Sequence, residues 1–131
     1  MNLPDNTEVF ETTLANCWFG EDGILYTMSK KAERTKESYD NLFELYSKLT
    51  ENGKTRFCTL GNITHMEPLP REIRIYVAEQ TAKYVKAMAL IADSTLGKAT
   101  GNIFEVLGET PYPVATFANK TDAVKWLSKY L

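Results

Sequence analysis

Lys86-Ala87-Met88-Ala89-Leu90-Ile91-Ala92-Asp93 decides how the rest of this chain is read. The run is nearly all apolar and does not alternate with polar residues. A sheet with one wet face alternates, whereas a parallel strand covered by helices on both sides does not. The stretch therefore predicts a buried strand sandwiched between helical layers. Asp93 and Ser94 end it, and Leu96, Ala99, Ile103 and Leu107 then recur at helical spacing, so the chain is expected to turn there from strand to helix.

Upstream, Glu8 to Phe19 is crowded with β-formers, Gly20-Glu21-Asp22-Gly23 intervenes, and Ile24 to Met28 follows. This predicts an antiparallel hairpin. Its second strand has Ile24, Tyr26 and Met28 on one face and Leu25 and Thr27 on the other, which suits an edge position with one side partly wet. Lys30, Lys31, Arg34 and Lys36 form a basic cluster read as solvated surface. Thr35 can cap a helix striped by Tyr39, Leu42, Phe43, Tyr46 and Leu49 and ending near Gly53. Arg56 to Leu60 is a short strand, and Gly61 to Pro70 a long loop.

Pro70 opens a second helix whose repeat runs Ile73, Val77, Gln80, Tyr84. A third is expected over 94–107, ending before Gly108. Tyr112 to Phe117 is a last strand, and Asn119 with Asp122 caps a closing helix that turns Val124, Leu127 and Leu131 inward. Strands alternating with helices after an opening hairpin predict an α/β sandwich. It has about five strands, the later ones parallel, and about four helices. Residues 1–7 are expected to be a flexible tail and 8–131 a single domain.

Composition bounds the function. With 131 residues, 44% hydrophobic and 24% charged, the chain reads as an ordinary soluble domain able to bury about two thirds of its unfolded surface. Fifteen basic against seventeen acidic residues give a net charge of -2, which supplies no field for nucleic acid. No run of apolar residues is long enough for stable membrane insertion, and the start lacks a secretory pattern, so a cytoplasmic location is expected. Cys17 and Cys58 form no CxxC and read as buried, reduced thiols. His65 is the sole histidine, so no metal set is expected. Gly97-Lys98-Ala99-Thr100 lacks the glycine and hydroxyl that a phosphate loop requires, and no cofactor motif is found.

Two passages carry a family likeness, Ala89-Leu90-Ile91-Ala92-Asp93-Ser94 and Tyr112 through Leu127, the latter closing on Ala123, Trp126 and Leu127. Gly53-Lys54-Thr55-Arg56 before the third expected strand also fits. From about Glu8 to Leu131 the chain resembles SpoIIAA-like domains of the STAS type. That resemblance implies the mixed α/β sandwich and a non-enzymatic regulatory role, exercised on a protein partner and switched by phosphorylation at the start of the helix after the third strand. The family's aspartate, serine, serine-or-threonine, glycine pattern is absent here. Asn62-Ile63-Thr64-His65-Met66-Glu67-Pro68 stands in its place, with Thr64 the nearest hydroxyl for a phosphate. Other relatives look similar to Sec14-type lipid-binding domains, which implies a small apolar or acidic ligand.

In open α/β sheets ligands lie beyond the carboxyl ends of the strands. The candidate site residues are therefore Asn62, Thr64, His65, Asp93, Ser94 and Thr95, the last three at a helix start able to hold an anion. No catalytic set stands out, so the protein is expected to be no enzyme. It is expected to bind a protein partner or a second copy as a homodimer, through the hairpin edge or the loop at 61–70. The alternative is a carrier or sensor of a small apolar or acidic molecule.

Overall fold

The computed structural model describes residues 3–62, 69–91 and 109–131. Six described strands form one sheet in sequence order: β1 (Phe10–Glu11), β2 (Ala15–Phe19), β3 (Leu25–Ser29), β4 (Phe57–Asn62), β5 (Val85–Ile91) and β6 (Val114–Phe117). β1, β2 and β3 pair antiparallel, and β3 through β6 pair parallel. Three described helices, α1 (Lys36–Leu49), α2 (Arg71–Thr81) and α3 (Lys120–Leu127), complete the mixed α/β architecture. The helix expected over 94–107 and the strand end at Asp93 lie outside the described residues.

The sheet has six strands rather than about five because Glu8 to Phe19 folds back on itself. The Thr12 hydroxyl donates to the Ala15 carbonyl at 2.8 Å, and the Ala15 amide donates to that hydroxyl at 3.0 Å. A residue type that favours strands here closes a turn by bonding its own neighbourhood.

Side-chain alternation divides the core in two. On one face Cys17, Leu25, Phe57 and Val85 pack with Tyr39, Phe43 and Tyr46 of α1 and Val77 of α2. On the other Trp18, Ile24, Tyr26, Cys58, Leu60, Ala87 and Ala89 pack with Ala123 and Leu127 of α3. β4 is buried from Phe57 to Gly61 and β5 lies between β4 and β6, so both are covered on both faces as the apolar run predicted. β3 is a correction. It is paired on both sides, and its supposedly wet face is closed by α1, so it is no edge strand.

β5 carries one irregularity. Phe57 pairs with Val85 and Cys58 with Ala87, leaving Lys86 as an extra, exposed residue. Such a bulge sends Val85 and Ala87 to opposite faces although they are two residues apart.

The helix starts follow their local chemistry. Thr35 accepts from the Ser38 amide at 3.1 Å while the Thr35 amide donates to the Ser38 hydroxyl at 2.8 Å, a reciprocal capping box. α1 stops at Leu49, earlier than expected, and Glu51, Asn52 and Gly53 follow at φ 53°, 61° and 86°. Gly53 is required there twice over, because an added Cβ would also stand 3.0 Å from the Lys83 carbonyl. Pro70 precedes α2, whose last turn ends before Tyr84, so that ring joins the aromatic cluster from the turn leading into β5. Asn119 accepts from the Asp122 amide at 2.9 Å and opens α3. Leu131, expected to face inward, is 56% exposed because the helix has already ended at Leu127.

Candidate functional site

The parallel strands β3, β4 and β5 end side by side, with Ser29, Asn62 and Leu90 at their carboxyl ends. The Ser29 hydroxyl donates to the Asn62 carbonyl at 2.7 Å, tying two of these ends together. Between these ends and the α1/α2 layer lies a cavity of about 90 Å³. Its sheet side includes Thr27, Ser29, Gly61, Asn62 and Leu90. Its helix side includes Tyr39, Phe43 and Tyr46 of α1 and Val77 and Thr81 of α2, and Tyr112 also lines it. Gly61 keeps this floor low. A Cβ there would run into the Thr27 hydroxyl and reach within 3.7 Å of Leu90.

Arg34 brings the one formal charge among the described lining residues. It sits in the loop after β3, directly before the cap Thr35, and is half-buried. Its guanidinium lies 5.9 Å from the centroid of the Tyr39 ring, and Nη1 donates to the Tyr39 hydroxyl oxygen at 3.3 Å. Its Nε is buried with no hydrogen-bond partner, and no described carboxylate forms an ion pair with it. Thr59 Oγ1 and Asn16 Oδ1 are the other buried side-chain atoms without a partner among the described residues. A half-buried cation without a counter-charge among the described residues is unusual, since desolvated charges are normally paired.

Two phenols of the lining, Tyr46 and Tyr112, are held neutral. Burial pushes Tyr46 well above its ordinary range, with smaller contributions from Cys17, Tyr112 and Tyr39. Burial likewise pushes Tyr112 up to about 12, against a hydrogen bond from Thr81 that works the other way. Neutral phenols donate and accept hydrogen bonds but supply no base at ordinary pH. Cys17 on the same face is pushed up to about 12 by burial, and burial raises Cys58 on the other, so both thiols are protonated and inert.

Of the residues singled out from sequence, Asn62 lies on this cavity. Thr64 and His65 fall in 63–68, and Asp93, Ser94 and Thr95 in 92–108, all outside the described residues. Gly61, which opens the loop expected beyond a strand end, lines the cavity beside Asn62, whereas Arg34, Tyr39 and Tyr112 were missed. The basic cluster read as solvated surface is the reason. Arg34 lines the cavity, Lys30 Nζ donates to the Thr12 carbonyl at 2.8 Å, and Lys36 Nζ lies 4.8 Å over the Tyr76 ring. Position relative to the cap was the available signal, because a residue next to a fixed N-cap cannot point freely.

Among the described residues no three potential metal ligands cluster, and no helix is long and apolar enough to cross a membrane. A solved structure of an uncharacterized protein of the DUF3478 family from Shewanella loihica, described as having a SpoIIAA-like fold, is similar to this chain. Its TM-score is 0.59 at 20% sequence identity, covering 97% of this chain and 99% of that one. The likeness shows that the fold is SpoIIAA-like, as the sequence resemblance implied, and shows the fold alone. No curated protein matches the chain. The family model described as Domain of unknown function (DUF7793) matches residues 17–131, from within β2 through α3 to the last residue, and the chain belongs to that family.

Proposed function

We propose that this domain is a non-enzymatic binding module, a sensor or carrier whose site is the cavity under α1 and α2 and whose ligand is a small apolar or acidic molecule. The observation that supports it is the cavity itself, at the carboxyl ends of three parallel strands, with a mostly aromatic and aliphatic lining and a few convergent polar groups. Burial keeps the Tyr46 and Tyr112 phenols of that lining protonated, which suits hydrogen bonding to a ligand rather than nucleophilic attack.

Native mass spectrometry of protein purified from cells, compared with protein refolded from denaturant, tests this. A small adduct on the first that is absent from the second is the expected result. Absence of any adduct, together with no thermal shift in a screen of small acids, alcohols and hydrocarbons, would remove the reading. Regulation through a protein partner or a second copy is the weaker reading. Of the two routes expected for it, the hairpin edge is covered by β1, whose two residues leave a short ladder for strand pairing, and most of the loop at 61–70 lies outside the described residues.

A further inference from the structure

We propose that the ligand is a compact aliphatic monocarboxylate, with the Arg34 guanidinium as its counter-ion and the Tyr39 hydroxyl as a second donor; this rests on the reading of the cavity as a ligand site. Two unused donors come together beside that cavity. Tyr39 accepts from Arg34 through its oxygen, which leaves its own O–H hydrogen with no acceptor among the described residues. Arg34 Nε–H has none either. A guanidinium and an adjacent phenol, both short of acceptors, are what a carboxylate satisfies, because its two oxygens take a forked donor and a further hydrogen bond together.

Charge and size narrow the class. One half-buried guanidinium balances one negative charge, whereas a phosphate monoester would bring about -1.5 to -2 into a site with no second described cation in its lining. The positive end of the 14-residue helix α1 begins one residue after Thr35 and adds to the same potential. Behind the charged group the walls are apolar, with Leu14, Leu42, Val77, Met88 and Leu90. An apolar cavity of about 150 Å³ takes a benzene ring. The 90 Å³ found here therefore suits a body of about three to four carbon atoms beyond the carboxylate.

The test is a titration of the full chain, followed by amide chemical shifts and calorimetry, with butyrate, its neutral isostere butyramide, hexanoate and inorganic phosphate. Butyrate is expected to move Thr27, Ser29, Gly61 and Leu90 and to bind about tenfold or more tighter than butyramide. It is expected to outcompete phosphate, and Arg34→Met should abolish its preference over the amide while circular dichroism shows the fold retained. Tyr39→Phe should weaken butyrate about threefold to tenfold and leave butyramide unchanged. Equal binding of acid and amide at those residues, or an acid preference that survives in Arg34→Met, overturns the carboxylate assignment and leaves the ligand site standing. Tighter binding of phosphate overturns it in favour of an oxyanion without an apolar body. If no probe moves the cavity residues, both the assignment and the binding reading fall. Should Arg34→Met not fold, Arg34→Lys decides, because it keeps the charge and loses the fork, and undiminished butyrate binding by it also overturns the proposal.

Discussion

Under α3 the sheet presents Cys58, Ala87 and Ala89, all fully buried, and the helix answers with Ala123 and Leu127. Under α1 and α2 it meets Tyr39, Phe43 and Tyr46, with Tyr84 stacked near Phe43, and a cavity is left among them. Small side chains let a helix backbone settle close to a sheet, and such packing leaves little for a ligand. Large rings meeting edge to face, such as Tyr46 on Phe57 with centroids 5.1 Å apart, bridge a wider gap and bring hydroxyls into it. One face thus holds the sheet together, and the other holds it open.

The largest effect that would test this division is at Leu127. α3 has eight residues, too few to be stable alone, so packing holds it. Leu127→Ala is expected to cost about 2–5 kcal/mol in urea unfolding, since the side chain is completely buried and its removal leaves a void. A cost below about 1 kcal/mol would break the contrast, because the close-packed face would then not be the one that stabilises.

Next comes Gly61, on the open face. Gly61→Ala is expected to cost about 1–3 kcal/mol by pressing its Cβ into the Thr27 hydroxyl, and to shrink the cavity. Pairing it with Thr27→Ala should recover part of that cost, a non-additivity read from a double-mutant cycle. Full additivity would mean that the glycine is there for another reason.

At the first turn of α1, Thr35→Ala is expected to cost about 1 kcal/mol and to loosen Arg34, its neighbour. Asn119→Ala at α3 should cost no more, since Asn119 and Asp122 join side chain to side chain at 3.2 Å, without the reciprocal backbone bond of the Thr35–Ser38 box. Equal behaviour of the cavity in both variants would separate the cap from the site.

The smallest effect at neutral pH, and one that grows in base, concerns Cys17. Burial raises its thiol from 9.0 to about 12 in the folded protein. Between those values the unfolded chain has lost the proton and the folded one keeps it, so stability falls as pH rises from about 9 towards 12. Cys17→Ala should flatten that slope, with Tyr112, raised from 10.0 to about 12 by burial, supplying part of what remains. Native protein at about pH 8 should resist a thiol reagent until denaturant is added.

Much of the architecture was readable from single positions. The unalternating run gave β5, the Thr35 and Asn119 starts gave α1 and α3, and the double-glycine stretch gave the β2–β3 turn, where the Gly20 amide bonds the Ile24 carbonyl at 3.0 Å. What escaped depended on which of two uses a residue was put to. Thr12 and Thr13 favour strands and also close turns, so the β1–β2 fold-back was hidden. β3 looked amphipathic because Thr27 on its second face is polar, yet that hydroxyl-bearing residue lines a cavity under α1. Strand polarity directed attention to the carboxyl ends of the strands, where Asn62 lines the cavity. Arg34 and Tyr39, five residues apart on either side of the Thr35 cap, and Tyr112, far along the chain, did not follow, because only tertiary packing brings them to the strand ends.

Lys86 has a consequence of its own. Losing one residue from a strand normally inverts every side chain beyond the cut. Here the surplus position sits between two stretches that are already in phase with β4, Val85 beside Phe57 and Ala87 beside Cys58. Excising Lys86 would therefore leave each remaining neighbour on its present side and straighten the ladder. It acts as a removable spacer, and a homologue one residue shorter at that point can keep both halves of the core intact.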